Sequence, residues 1–256
     1  MLFDTHAHMN DRAFQEDRHT LMASFPQKGI SALMNVGWSL ETSRECVALA
    51  KQYDYAYASV GSHPDTAEEV NEELIEEYRK LCKLERKIKA IGEIGLDYHY
   101  EPYSAEVQKR AFSLQLELAR ELDMPVIVHE RDAHQDGMDM IRQFPQVTGV
   151  FHCYSGSPEM AHQLVDMGWY IGFTGVLTFK NAKKAVQTAQ SIPLERIVIE
   201  TDCPYMAPEP FRGNRSDPSM VVKVAEKLGE IRGISTEEAC RITLENGKRL
   251  YRIVES

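Results

Sequence analysis

Eight times along the chain a short apolar run rich in Val, Ile and Phe is followed by a longer segment with helical spacing. The strand-like runs are Leu2–Asp4, Ser31–Val36, Ala56–Val60, Ile88–Gly92, Pro125–Val128, Gly149–Phe151, Trp169–Phe173 and Arg196–Ile199. Helical spacing follows at 12–25, 40–52, 67–84, 104–122, 133–143, 158–167, 181–190 and 219–231, with one further stretch at 236–252. Ser157-Pro158-Glu159 puts a cap before a first-turn proline, and Ser235 with Glu238 fits a capping box. Such an alternation predicts parallel strands joined by crossover helices, and eight of them within one domain predict closure into a barrel. The 256 residues match the ~250 typical of a (β/α)8 barrel. The expectation is therefore an α/β, TIM-type barrel, a single domain over residues 1–256 with an extra C-terminal helix. An open doubly wound sheet is the alternative, but no G-x-G-x-x-G follows the first strand to mark a dinucleotide site.

Charge and cysteine content narrow the function. The formal net charge of −10 argues against a protein that coats DNA non-specifically, because a polyanion repels another at long range. It does not exclude an enzyme that takes one strand end into a cleft made locally positive by metal. The five cysteines form no C-x-x-C pair and point to reduced thiols, hence a cytoplasmic location. No apolar run approaches the ~20 residues that span a bilayer, and the N-terminus lacks the features of a signal peptide. Neither a membrane nor an obligate protein partner is expected.

The chemistry lies at the strand ends. Strand one runs into Asp4-Thr5-His6-Ala7-His8, strand four into Gly92-Glu93-Ile94-Gly95, strand five into His129, strand six into His152 and strand eight into Glu200-Thr201-Asp202. In a barrel these positions converge on the C-terminal face, where active sites of this architecture are built. Period-two alternation turns both imidazoles of His6-Ala7-His8 to one side, so they can share an ion. Asp202 lies beside them if strand eight closes on strand one, and it can also accept a proton from water. Glu93 can bridge to a second ion held by His129 and His152. Imidazole and carboxylate together suit one or two divalent ions, with Zn, Mn and Mg all admissible. A histidine pair alone often has a mundane structural explanation. Five ligand-type histidines at strand ends, counting His63 after strand three, together with two carboxylates do not.

Further residues are candidates for substrate contact. His63, in Gly61-Ser62-His63-Pro64, can bond a phosphate or protonate a leaving group, or be a turn histidine held by Pro64. Arg131 and Arg212 can fork onto phosphate oxygens, with Lys180 and Arg215 adding charge or serving as ordinary surface cations. Tyr98, Tyr154 and Tyr205 can stack on a base or sugar, or simply pack. Cys153 and Cys203 read as small buried fillers.

Taken in order, Phe3-Asp4-Thr5-His6-Ala7-His8, Gly61-Ser62-His63-Pro64, Gly92-Glu93-Ile94-Gly95-Leu96-Asp97-Tyr98, Pro125-Val126-Ile127-Val128-His129, His152-Cys153-Tyr154-Ser155-Gly156, Glu200-Thr201-Asp202-Cys203-Pro204-Tyr205 and Arg212-Gly213 resemble the TatD-like metal-dependent deoxyribonucleases of the amidohydrolase superfamily. The resemblance implies a TIM-like barrel, one or two divalent ions and a cytoplasmic enzyme that hydrolyses phosphodiester bonds, typically from a DNA 3′ end. It implies the metal positions named above and adds His63 as a substrate or catalytic residue. Two departures stand out. Where the family reads R-G-x-x-N-E-P, this chain has Ser216 and Asp217 before Pro218, and Glu130 follows His129 where many relatives have a neutral residue. The sequence leaves open a metallohydrolase of another ester or amide-type bond, such as a lactone or an aminoacyl–nucleic-acid link, and a non-catalytic binding barrel.

Overall fold

The computed structural model describes residues 1–254, and in it the eight apolar runs form one sheet of parallel strands in the order β1 to β8. The strands are β1 (Leu2–Ala7), β2 (Ile30–Val36), β3 (Ala56–Val60), β4 (Ile88–Asp97), β5 (Val126–Arg131), β6 (Gly149–Phe151), β7 (Tyr170–Phe173) and β8 (Ile197–Ile199). The ring closes where β8 meets β1. Ala7 bridges Cys203, the His8 amide donates to the Cys203 carbonyl at 2.9 Å, and the Asp202 amide donates to the His6 carbonyl at 2.9 Å. The architecture is a TIM-type (β/α)8 barrel. Among the described residues, no helix is long and apolar enough to cross a membrane.

The helices are α1 (Arg18–Ser24), α2 (Leu40–Gln52), α3 (Glu72–Leu84), α4 (Ala105–Leu122), α5 (His134–Arg142), α6 (Pro158–Asp166), α7 (Lys183–Ser191), α8 (Val221–Arg232) and the additional α9 (Thr236–Leu250). Ser157 caps α6 by accepting from the Met160 amide, with Pro158 in the first turn. Ser235 caps α9 the same way, but the reciprocal half of the expected capping box is absent because the Glu238 carboxylate is held by Arg241 instead. One apolar cluster, with Phe3, Ala32, Met34, Ala90, Ile127, Val150 and Val198, takes residues from six strands and fills the barrel interior. Leu244, Leu250 and Tyr251 of the C-terminal segment join it, and the Tyr251 hydroxyl donates to the Thr5 carbonyl at 2.9 Å. A larger cluster lies between the strands and the surrounding helices.

β1 and β5 each run three residues past their expected ends, and three larger departures have physical reasons. The stretch 12–25 is not one helix: a short 3-10 turn, Arg12–Phe14, precedes α1, and the Arg18 guanidinium bonds the carbonyls of Met9, Asn10 and Asp11 to hold the loop between them. The helix expected from residue 67 starts at Glu72, because Asn71 caps it after a 3-10 turn at Pro64–Glu69. Strand β4 runs on through Glu93 to Asp97, five residues past the end expected at Gly92. Gly95 pairs with His129, and any Cβ there would collide with the His129 carbonyl, so this glycine permits close strand contact.

Two buried glutamines of α4 fix the loops above β3 and β4. Gln115 accepts from the Ser62 amide at 2.7 Å and donates to the Ser62 carbonyl at 3.0 Å. Gln108 does the same for Asp97, at 2.9 and 2.8 Å. Each side-chain amide stands in for a backbone partner, so the residues next to Ser62 and Asp97 are held in register with the barrel mouth.

Candidate metal centre

His6 and His8 leave β1 with their rings on the same side, as alternation predicts, and their Nε2 atoms are 3.1 Å apart. Glu93 Oε2 lies 3.5 Å from His6 Nε2 and 3.6 Å from His8 Nε2, and Asp202 Oδ1 lies 3.6 and 3.4 Å from the same two atoms. These separations match the edge of a coordination tetrahedron, about 3.4 Å for bonds of about 2.1 Å. The other oxygen of Glu93 faces a second set. Oε1 is 3.0 Å from His129 Nδ1 and 2.8 Å from His152 Nε2, which are themselves 3.3 Å apart. Glu93 therefore stands between two lobes with one oxygen in each. The groups His6–His8–Glu93 and Glu93–His129–His152 each have donor atoms close enough to hold an ion.

Electrostatics tests whether these donors suit a cation. His6, His8, Glu93 and His152 are all buried. Burial alone disfavours every charge here, yet the field of the carboxylates prevails at most positions. Burial pulls His129 down, but hydrogen bonds to Asp97 and Glu93 outweigh it and push the imidazole up to about 9. His8 is raised against the same desolvation by Asp202 and Glu93, and His152 is raised by Glu93 and Glu200. Glu93 stays well below the usual carboxylate range in spite of its burial, because His152 and His6 surround it. His6 is the exception, lowered by burial and by neighbouring His152. A site that draws protons onto its histidines while keeping its carboxylates ionised calls for positive charge, and imidazole with carboxylate is a donor set that takes a divalent ion.

The donors are themselves held. His8 Nδ1 bonds the Val36 carbonyl at 2.9 Å, which puts the proton on Nδ1 and leaves Nε2 as the free donor. Asp97 Oδ2 accepts from His129 Nε2 at 3.0 Å. Glu200 is fully buried, accepts from the Cys153 amide at 2.5 Å and keeps Oε1 3.6 Å from His152 Nδ1. Room for it comes from Gly172, where a Cβ would sit 2.7 Å from Glu200 Oε2. Buried Asp4 accepts from the Thr201 amide at 2.9 Å and the Thr201 hydroxyl at 2.6 Å, locking the turn that presents Asp202. Asp202 has the positive φ of 55°, a conformation that Asp tolerates better than most residues.

Sequence reasoning did not single out Asp97 or Glu200, although a signal existed for both. Glu93, Gly95 and Asp97 share one face of β4 by alternation, and Glu200 lies two residues before Asp202.

Above these donors opens a cleft of about 710 Å³ whose lining includes His8, His63, Glu93, Arg131, His152, Asp202 and Tyr205. His63 Nε2 is 4.0 Å from Glu93 Oε1, and its Nδ1 accepts from the Asp65 amide at 3.2 Å. Three expected substrate cations fall elsewhere. Arg212 is exposed and lies over the Phe179 ring at 4.2 Å, and Lys180 is exposed; neither lines the cleft. Helix α7 starts at Lys183, and its first turn brings Lys184 to the wall instead. Arg215 is paired with Asp17 and bonded to the Ala13 carbonyl. Of the other tyrosines, Tyr98 stacks on Tyr103 at 4.7 Å, and Tyr154 lines the cleft with its hydroxyl on the Ser157 carbonyl. Glu130 is not a loose negative charge, since it accepts from the Ala133 amide at 2.8 Å and pairs with His134. Asp217 caps the turn Pro218–Met220, so its replacement of the family residue has a local structural use.

Known proteins resemble this chain in sequence and in fold. The family described as TatD related DNase matches residues 3–252. A Bacillus subtilis protein described as the metal-dependent hydrolase YabD is 40% identical, covering 99% of this chain and all of its own length. The 3'-5' ssDNA/RNA exonuclease TatD of Pectobacterium parmentieri is 30% identical, covering 98% of this chain and 100% of its own. The crystal structure of YJJV, a TatD homolog from Escherichia coli, superposes with a TM-score of 0.92 at 29% identity, covering 99% of this chain and 98% of that one. The chain belongs to the TatD family of metal-dependent hydrolases.

Proposed function

We propose that the chain is a deoxyribonuclease that hydrolyses phosphodiester bonds from the 3′ end of DNA, working as one barrel domain over residues 1–256. The observation that carries this reading is the position of Glu93, one carboxylate oxygen in each of two donor lobes. His6, His8 and Asp202 would hold one divalent ion, His129 and His152 a second, and Glu93 would bridge them. Bound divalent ions, whether Mg, Mn or Zn, supply Lewis acidity, an acidic water and charge for the leaving oxygen. Asp202 takes the proton of the attacking water at its second carboxylate oxygen. His63 Nδ1 is tied to Asp65, 3.2 Å from its amide and 3.3 Å from its carboxylate, so Nε2 is the nitrogen left to meet the phosphate or the leaving oxygen. Arg131 and Lys184 meet phosphate oxygens, and Tyr205 meets a base or sugar. Free thiols at all five cysteines fit a reducing, cytoplasmic setting.

The test is release of nucleotides from 3′-labelled single-stranded DNA by protein reconstituted with Mg, Mn or Zn, beside Asp202→Asn. Release by the wild type, lower by about 10² to 10⁴ in the variant, is the expected result. No release with any of the three ions would sink the reading. One observation favours a second substrate class: among the described residues, the cleft is lined by few cations. The same donors serve a carbonyl, so lactone and aminoacyl–nucleic-acid esters are the next substrates to assay.

A further inference from the structure

Two tyrosines at the barrel mouth are far more exposed than packing aromatics should be. Tyr100 is 65% and Tyr205 57% exposed, and both line the cleft that contains Glu93. Tyr100 comes from the loop after β4, and Tyr205 follows β8. Those strands lie four places apart in a ring of eight, so the two rings rise on opposite sides with the metal centre between them. Tyr100 is exposed but held. The Arg131 guanidinium lies over its ring at 4.9 Å, and the His99 ring meets it edge-on at 4.7 Å. His99 is anchored in turn by Asp132 at 2.7 Å, and the loop is braced beneath by the parallel Tyr98–Tyr103 stack. Tyr205 is steadied by its hydroxyl, 3.5 Å from Asp11 Oδ2. Fixed, open aromatic faces lose little conformational entropy when a flat ligand lands on them.

Charge says which ligand. A chain with a net charge of −10 and few cations at the cleft cannot hold a polynucleotide mainly by its backbone. Beyond the metal floor and the two cations Arg131 and Lys184, affinity must come from uncharged contacts, and a nucleobase offers a π-face whatever its identity.

Building on the nuclease reading, we propose that Tyr100, backed by Arg131, is a stacking platform for an unpaired nucleobase on one side of the scissile phosphate, with Tyr205 serving the base on the other. Such a platform suits the single-stranded DNA end that the nuclease reading already takes as substrate, because a base inside a duplex is already stacked on its neighbours. Recognition is of bases as such and tolerant of sequence.

The experiment is anisotropy of a fluorescein-labelled oligodeoxythymidylate on protein carrying Asp202→Asn, so that the probe is not consumed, with and without Tyr100→Ala. A second probe has abasic residues at the last positions of its 3′ end. Tyr100→Ala is expected to weaken binding of the intact oligonucleotide about tenfold, and Tyr100→Phe to leave it unchanged. The abasic probe should bind both proteins equally weakly. Unchanged binding on Tyr100→Ala, or the same loss on both probes, overturns the platform, and the nuclease reading then stands or falls on the wild type's release of nucleotides alone. Base-dependent binding without any such release leaves the platform in place and overturns the nuclease reading. Absence of both binding and release overturns both.

Discussion

His6, His8, Glu93, His129, His152 and Asp202 sit on barrel strands or just past them, and none is fully exposed. Tyr100, Lys184 and Tyr205 stand above them on loops and a helix start, open to solvent. The difference is in how many independent contacts fix each group. On the floor, His8 is tied through Nδ1 to the Val36 carbonyl with Nε2 packed against His6, and His129 lies between Asp97 and Glu93. At the rim, Lys184 makes one long bond of 3.4 Å to the Ser155 carbonyl, and Tyr205 one of 3.5 Å to Asp11. A floor so over-determined should respond to substitution almost as all or none. The rim should respond by degrees.

Glu93→Gln should have the largest effect. The amide keeps the shape but loses the negative charge on which both lobes depend, so turnover should fall by more than the ~10⁴-fold upper range for a lost general base. A chelator should lower the melting temperature of the wild type and leave that of the variant unmoved, because a ligand bound by the native state alone stabilises it. A variant that still contained two equivalents of metal after purification would show that the carboxylate does not bridge. Next comes Glu200→Gln, which tests whether the floor depends on its outer supports. Metal affinity should fall about 10- to 100-fold, the usual loss for an outer partner of a ligating histidine. Turnover at saturating metal should return close to wild type. Loss of turnover that extra metal cannot restore would mean that Glu200 does more than orient His152 and the Cys153 amide.

The same contrast explains what the sequence makes legible. Floor residues could be located because strand ends show themselves as apolar runs, and a ligand-type residue following such a run has few other reasons to be there. His6, His8, Glu93, His129, His152 and Asp202 are brought together in this way. The extension of β4 was hidden because glycines such as Gly92 and Gly95 usually weaken a strand, whereas the structure uses Gly95 for close contact with β5. Glu200 was hidden for the opposite reason. A charged residue beside a ligand motif suggests a surface group, and only the fold shows that Gly172 on β7 leaves space to bury it. Rim residues follow no period. Whether Lys180 or Lys184 meets the cleft depends on where α7 begins, and Ala182 provides no side-chain cap to mark that point.

That ambiguity gives the smallest prediction and the sharpest test of the rim. Lys184 lines the cleft and Lys180 does not, so the two lysines should separate in one assay. Lys184 is exposed, and an exposed charge contact is worth little, so Lys184→Ala should raise KM for an oligonucleotide by about fivefold or less. A cation that touches phosphate also releases a counterion, so the same variant should flatten the dependence of log KM on log salt by about one unit. Lys180→Ala should change neither quantity. Equal effects from both variants would mean that the lysines act through the general field of the protein and not through contact. If Lys180→Ala alone changed the slope, the substrate would run along the segment before α7, away from the wall that Lys184 lines. The salt slope decides because it reports charges in contact, while a small KM change alone does not distinguish a contact from a field.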